Sequence, residues 1–465
     1  MKVLEMVHGI IWGPWTVGVF LVVGLVLSVR CRFFQIRGFR YWWKATAGSL
    51  WGEEREGDES TGAAGAHHGI TQFQSVCTAL AATVGTGNIA GVAAALVSGG
   101  PGAVFWMWIS ALIGMATAYG ETYLGVRYRF KNNRGKWICG PFVYMKKGLG
   151  IPFMAACYSF FCFLCALGMG SMVQANSAAE TLEFTWGIPS VLGSGILALL
   201  TGAVILGGIK RIGKAAEYLL PLASGIYILF SLLVLLLCAD RIPDAFLRIF
   251  QSAFGIRQVS GGIAGFGISK SIRYGISRGV FSNEAGLGTL AVLHGPAEHT
   301  TPEEQGMWAM FEVFFDTIVS CTLTALVILC VAGRGAASES GAENGASLTS
   351  LCFFTALGSP GRYLVAVCVV LFAFSTIIAW YYMGRQAAEY LGGKISGRIP
   401  AIYTAGYLLA AFLGCLGAME TVWQVADIFN GLMAVPNLAA LVLLVGEIDA
   451  PGEKERDTGK RETAE

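Results

Sequence analysis

Long apolar runs alternate with short polar connections along this chain, and the run from Ile70 to Gly120 contains no Asp, Glu, Lys or Arg. At about 1.5 Å of rise per residue that run exceeds roughly 70 Å as helix, enough for two crossings of a hydrocarbon core about 30 Å thick. Gly99-Gly100-Pro101-Gly102 supplies the turn between them. The same reading predicts eleven spans: Ile10 to Val29, Thr71 to Val97, Ala103 to Val126, Phe153 to Thr181, Ile188 to Gly207, Tyr218 to Ala239, a glycine-rich seventh from Gly261, Met307 to Val331, Tyr363 to Met383, Ile402 to Leu416 and Val425 to Val445. The first lacks a Lys-rich leader and a small-residue cleavage site, and so reads as an uncleaved helix.

Basic residues orient these spans. Arg30, Arg32, Arg37, Arg40 and Lys44 follow the first; Arg127, Arg129, Lys131, Arg134, Lys136, Lys146 and Lys147 follow the third. Lys210, Arg211 and Lys214, and later Arg385, Lys394 and Arg398, repeat the pattern. By the positive-inside rule these flanks are cytoplasmic, which places the N-terminus outside and the C-terminal tail in the cytoplasm of a cell-membrane protein. Arg241, Arg248, Arg257, Arg334 and Arg362 in the outer loops are fewer and more dispersed. Phe105-Trp106-Met107-Trp108 reads as an aromatic belt, and a stretch after Pro243 as amphipathic.

Composition agrees. The 465 residues are 55% hydrophobic and only 13% charged, against about 25% in soluble domains. A net charge of +2 gives no reason to expect a nucleic-acid partner, and no obligatory protein partner is evident. Most of the twelve cysteines, Cys162 and Cys165 among them, sit inside apolar segments and read as small buried hydrophobes rather than metal or redox ligands. His67-His68 falls in a polar linker.

The stretch that helix formation does not explain is Ala81-Ala82-Thr83-Val84-Gly85-Thr86-Gly87-Asn88. Each interior Gly costs a helix about 1 kcal/mol, so two beside Thr and Asn near the membrane midplane predict a broken helix. The amides of Gly85, Thr86 and Gly87 would open a new half-helix suited to a carboxylate. The carbonyls around Ala81 and Val84 would be freed as hard oxygen ligands for a cation. A second glycine-rich segment, Gly261 to Ser269, ends in the polar Phe281-Ser282-Asn283-Glu284-Ala285-Gly286-Leu287-Gly288. With the first span set aside, the two interrupted segments are first and sixth of ten. Five helices per half is an odd number, so the halves would be inverted, and matched interruptions point to a transport site.

Around this break, Ser375 and Thr376 are adjacent hydroxyls whose alternative role is bonding back to their own helix. Trp380, four residues on, shares their face. Gln174 reads either as part of a pocket or as interhelical glue. Lys270 and Arg273 are costly in a span, at about 2.5 to 3.5 kcal/mol each at the centre. They are expected to face a wet cavity, bind substrate or pair with a carboxylate such as Glu284 or Asp316.

The segment Gly99 to Gly114, with Ala-Thr-Val-Gly-Thr-Gly-Asn-Ile-Ala-Gly-Val before it and Arg278 to Gly288 after it, resembles the alanine or glycine:cation symporters. Gly207-Gly208-Ile209-Lys210 and Ala434-Val435-Pro436-Asn437-Leu438 resemble the same family, and the likeness runs from about Trp12 to the tail. It implies an all-α, leucine-transporter-like fold of a 5+5 inverted repeat plus one N-terminal helix, and sodium-coupled uptake of alanine or glycine. The implied divisions are 1–69 for the extra helix, basic flank and linker, 70–240 and 241–446 for the repeats, and 447–465 for the tail. The implied substrate residues are Gly85, Thr86, Gly87, Asn88, Gln174, Thr376 and Trp380. The implied sodium ligands are Ala81, Val84, Ser375 and Thr376, with Thr83 and Asn88 at a second cation site. No cofactor is implied beyond Na⁺ as coupling ion.

The alternatives are a proton-coupled or different-substrate carrier, with Glu121, Glu217, Asp316 or Asp427 carrying the proton or else merely pairing at interfaces, and a channel, for which no ring of polar residues is visible. No His, Glu or Cys constellation suggests an enzyme.

Overall fold

The computed structural model describes residues 2–50, 69–133, 135–255, 261–332, 345–392, 399–416 and 419–452. The linker with His67 and His68, the basic residues Arg134, Arg257, Arg334, Lys394 and Arg398, and most of the charged tail lie outside the described residues.

Among the described residues the protein is α-helical apart from one two-stranded hairpin, Phe130–Lys131 against Trp137–Ile138, and a single bridge between Ile70 and Ala297. The helices used below are α1 (Lys2–Ile11), α2 (Pro14–Arg30), α3 (Gln72–Thr83), α4 (Ala90–Gly99), α5 (Gly102–Tyr128), α6 (Pro152–Trp186), α7 (Ser190–Ile205), α8 (Gly208–Leu237), α9 (Ile242–Ala253), α10 (Gly261–Asn283), α11 (Thr289–His294), α12 (Pro302–Ala332), α13 (Ala346–Leu357), α14 (Ser359–Gly392), α15 (Ile399–Leu413) and α16 (Met419–Leu443). Among the described residues, seven helices are long and apolar enough to cross a membrane, and an eighth span is the pair α3 and α4, bent by 51° at their junction. The other three expected spans are α7 and α15, apolar but only 16 and 15 residues long, and α10, long enough at 23 residues but too polar to qualify.

Two of the interruptions expected from sequence differ in outcome. The first falls at Val84 to Asn88, as the paired glycines require. The second does not fall in the glycine run: Gly261 to Ser269 is continuous helix, and α10 stops only at Asn283. Glu284, Gly286 and Gly288 then take φ of +57°, +89° and +79° before α11 begins. A string of glycines weakens a helix without ending it, whereas three left-handed residues in five cannot be helical. Two spans also contain a wide π turn, Ala166–Val173 in α6 and Phe314–Cys321 in α12.

Helix α5 is the hub, packed against α2, α9, α10, α11 and α12. Its approach to α10 depends on Gly275, where a Cβ would meet the Ala103 carbonyl and lie 2.7 Å from Trp106 Cβ. Small residues at such crossings let backbones close in, which is how helices associate where lipid offers no hydrophobic drive. The amphipathic stretch after Pro243 is α9, and the aromatic belt of α5 packs on it, with Phe105 5.0 Å from Phe254 and Trp108 6.2 Å from Phe246 between ring centroids. Beyond α16 the chain folds back onto α5 instead of leaving as a solvated tail: Tyr119 Oη donates to Asp449 O at 2.9 Å, Tyr123 Oη to Asp449 Oδ2 at 2.7 Å, and Ile448 is buried.

The close α5–α10 crossing gives a stability test. Gly275→Leu is expected to lower the melting temperature of the purified protein by several degrees, in line with about 1–3 kcal/mol for overpacking. Gly18→Leu on α2, where nothing lies within 4 Å of an added Cβ, should leave it unchanged in the same thermal size-exclusion assay.

Candidate functional site

The two interruptions and helices α6, α12 and α14 meet in the buried interior. A capping box at Thr71 and Gln74 starts α3, which runs to Thr83; Val84 then leaves helical geometry at φ −77°, ψ 90°. The Gly85 N–H, which in an unbroken helix would bond Ala81 O, donates to Asn88 Oδ1 at 2.9 Å. Ala81 O instead accepts from Thr376 Oγ1 of α14 at 2.8 Å. The amides of Thr86 and Gly87 reach no acceptor among the described residues. A Cβ on Gly85 would lie 2.7 Å from Thr376 Oγ1 and 3.7 Å from Gln174 Oε1; one on Gly87 would lie 3.7 Å from the Phe281 ring. Gly85 is therefore needed for close approach, whereas a Cβ on Gly87 would make only ordinary contact.

Thr86 Oγ1 donates to Gln174 Oε1 at 2.9 Å, and Gln174 Nε2 donates to Met169 O at 3.3 Å. Gln174 stands at the end of the π turn of α6, which gives its amide a carbonyl five residues back. Asn88 Nδ2 donates to Asp316 Oδ1 at 2.6 Å, and Thr317 Oγ1 to Asp316 Oδ2 at 2.9 Å, both residues of the π turn in α12. Trp380 Nε1 donates to Glu284 Oε1 at 2.9 Å, while Glu284 Oε2 is buried without a partner among the described residues. At the second interruption Glu121 Oε2 accepts the N–H groups of Gly286 and Gly288 at 3.1 and 3.0 Å and Asn437 Nδ2 at 3.0 Å, and Asn437 Nδ2 also donates to Gly286 O at 2.9 Å.

The structure thus brings together Ala81, Val84, Gly85, Thr86, Gly87, Asn88, Gln174 and Thr376, while Trp380, one turn beyond Thr376, bonds Glu284 at the second interruption. Two expected ligands point elsewhere: Ser375 Oγ bonds back to Phe372 O at 2.9 Å, and Thr83 Oγ1 to Leu80 O and Ala79 O at 3.3 and 3.4 Å. Each takes the helical role that competes with ligand binding for such hydroxyls. Arg273 does not pair with Glu284 or Asp316; its Nε donates to Trp12 O at 3.2 Å, and Lys270 is exposed. Both lie more than ten residues before Glu284 on one helix, roughly 15 to 20 Å away along its axis. Of the candidate proton carriers, Glu121 clamps the second interruption, Asp316 holds Asn88, Glu217 Oε2 accepts from Gln74 at 3.0 Å, and Asp427 pairs with Arg278 at 3.2 Å. Sequence reasoning left Glu284, Phe281 and Asn437 out of the site. Their signal was polar or bulky character in the short run Phe281 to Gly288 and in Ala434 to Leu438.

The chain matches the sodium:alanine symporter family over residues 1–455. It belongs to that family. The sodium/alanine symporter AgcS of Methanococcus maripaludis is 40% identical over 96% of this chain and 95% of its own. The sodium/glutamine symporter GlnT of Bacillus subtilis, described as probable, is 33% identical over 95% of this chain and 89% of its own. In fold, this sodium:alanine symporter family member is similar to a Na⁺-coupled sialic acid symporter, at 12% identity and a TM-score of 0.50 over 94% of this chain and 85% of that one. It is a multi-pass membrane transporter and not an enzyme, with the leucine-transporter-like fold that its sequence resembles.

Glu121 carries a test of the interruption. Glu121→Leu would strand three buried donors, at about 1–3 kcal/mol each, whereas Glu121→Gln keeps one acceptor oxygen. Fluorescence size exclusion is expected to show little monodisperse protein for the Leu variant and substantially more for Gln.

Proposed function

We propose that the protein couples entry of a small neutral amino acid, alanine or glycine, to Na⁺ by alternating access. The observation that carries this reading is the first interruption, where Ala81 O is held by a side chain of α14 and two amides of the next half-helix have no acceptor among the described residues. The Thr86 and Gly87 amides suit a carboxylate at the positive end of α4. Glu284 Oε2 is an acceptor for the ammonium, and Trp380 and Phe281 wall the methyl-sized remainder. Ala81 O, Val84 O and Thr376 Oγ1 form the hard-oxygen set for Na⁺, Ser375 joining after a rotamer change; Asn88 beside Asp316 and the Thr83 carbonyl offer a second cation position. In this reading α3 to α8 and α9 to α16 are inverted halves of an eleven-span protein, divided at 240 and flanked by 1–69 and 447–465. The N-terminus lies outside and the basic ends lie in the cytoplasm.

Energetically one ion suffices. One charge moving down 100 mV supplies about 2.3 kcal/mol and a tenfold gradient about 1.4, together enough for several-hundred-fold accumulation of a zwitterion that carries no net charge.

Proteoliposomes test this directly. Radiolabelled alanine or glycine uptake is expected with Na⁺ outside and to fall to background with choline at fixed pH; equal uptake in choline would overturn sodium coupling. Thr376→Val removes the hydroxyl on Ala81 O and should raise the Na⁺ concentration for half-maximal uptake by ten- to hundredfold, matching about 1.5–3 kcal/mol for a charged-group interaction.

A further inference from the structure

Beside the site, on the half of α10 nearer α11, a cluster joins three elements. Asp427 Oδ2 of α16 accepts from Arg278 Nη2 of α10 at 3.2 Å, and His8 Nε2 of α1 lies 3.2 Å from the same oxygen. Trp12 Nε1 donates to Asp427 O at 2.8 Å, and Arg273 Nε of α10 donates to Trp12 O at 3.2 Å. The Arg278 guanidinium lies 5.4 Å from the Phe281 ring and 5.5 Å from the Trp423 ring, and those two rings stack at 5.2 Å. Phe281 in turn is the ring nearest Gly87 at the first interruption. A continuous run of contacts therefore leads from the site, through Phe281 and Arg278, to a histidine on α1, at the start of the first membrane-length stretch, Met6–Arg30.

The charges decide how this run behaves. Asp427 presents one oxygen to two donors, and the side chains of Asp427, Arg278 and His8 are only 6%, 17% and 24% exposed, so solvent screens them incompletely. From α10, Arg273 reaches the carbonyl of Trp12, one helical turn beyond His8; α16 contributes Asp427 alone among its described side chains. Histidine is the side chain whose charge changes between pH 5 and 8. Neutral, His8 leaves Asp427 paired with Arg278 alone. Protonated, it sets a second full cation on the oxygen that Arg278 already holds.

We infer that α1, through His8, is a pH-responsive latch on the wall of the substrate site: protonation of His8 draws Asp427 away from Arg278 and loosens the Phe281–Trp423 stack. This rests on the reading of the first interruption as the substrate site, but the latch itself is measurable without transport. The full-length chain in lipid nanodiscs is compared by hydrogen–deuterium exchange at pH 7.5 and 5.5, corrected for the intrinsic rate. Backbone exchange over 274–283 is expected to rise at least threefold on acidification. In His8→Gln, which keeps a neutral partner for Asp427, the rise should vanish; in Asp427→Asn exchange should be raised at both pH values. A rise that persists in His8→Gln, or no rise in the unaltered chain, overturns the latch. Saturating alanine with Na⁺ should slow exchange over 83–88 in all three proteins; absence of that protection with the pH response intact would count against the substrate reading alone and leave the latch standing.

Discussion

Inside a bilayer every backbone N–H and C=O needs a partner from the protein, because lipid offers none. That requirement governs the whole interior of this molecule, since two of its segments abandon helical bonding near mid-depth. The chain meets it with side chains: Asn88, within the first interruption, caps the Gly85 N–H, and from other helices Thr376 takes over Ala81 O, and Glu121 with Asn437 holds two amides and a carbonyl of the second interruption. Apart from Asn88, the partners come from α5, α14 and α16, so both interruptions depend on those helices being packed around them. Fold and site are one construction.

The same requirement explains the π turns. An ordinary helix offers its side chains at a spacing fixed by its own ladder, but inserting one residue shifts the register of everything beyond it. In α6 that shift leaves Gln174 within reach of both Thr86 and Met169 O; in α12 it places Asp316 against Asn88. Both wide turns therefore sit where a helix must address the first interruption, and neither is needed for packing α6 or α12 against lipid. The close crossings at Gly275 and Gly85 belong to the same design, since only small residues let the addressing helices come near enough.

How much of this could be read from sequence depended on whether the signal was local. Gly85-Thr86-Gly87-Asn88 was legible because paired glycines, a cap-forming Asn and a surrounding run without charge conflict with helix inside a span. The basic flanks and apolar lengths were legible for the same reason, and so was the turn at Gly100, whose φ of +71° glycine tolerates freely. The second interruption was misplaced, because glycine density at 261–269 looked like the stronger signal. The decisive feature is Glu284 at φ +57°, a residue with a Cβ held left-handed by the tertiary bonds of Glu121 and Trp380. Those bonds span more than ninety residues and leave no periodic trace. Ser375 and Thr376 make the same point at shorter range: as neighbours with equal propensity, they differ only because one faces Ala81 O and the other its own turn.

The fate of the ionisable residues follows from depth. Glu121, Asp316 and Glu312 are fully buried, and each has a defined hydrogen-bonding task; Glu312 is held against His294 at 3.1 Å. Asp427, Arg278 and His8, nearer a rim, form an ion pair with a third member attached. A carboxylate deep in the interior is costly unless donors surround it, and the two interruptions are the places where a membrane protein has spare backbone donors to give. Glu121, carried by α5, therefore turns its carboxylate onto the amides of Gly286 and Gly288 at the second interruption. The first interruption keeps its donors, the amides of Thr86 and Gly87, uncommitted to any described acceptor. That asymmetry between two otherwise parallel breaks is the physical reason to place a carboxylate-bearing solute at the first and a structural clamp at the second.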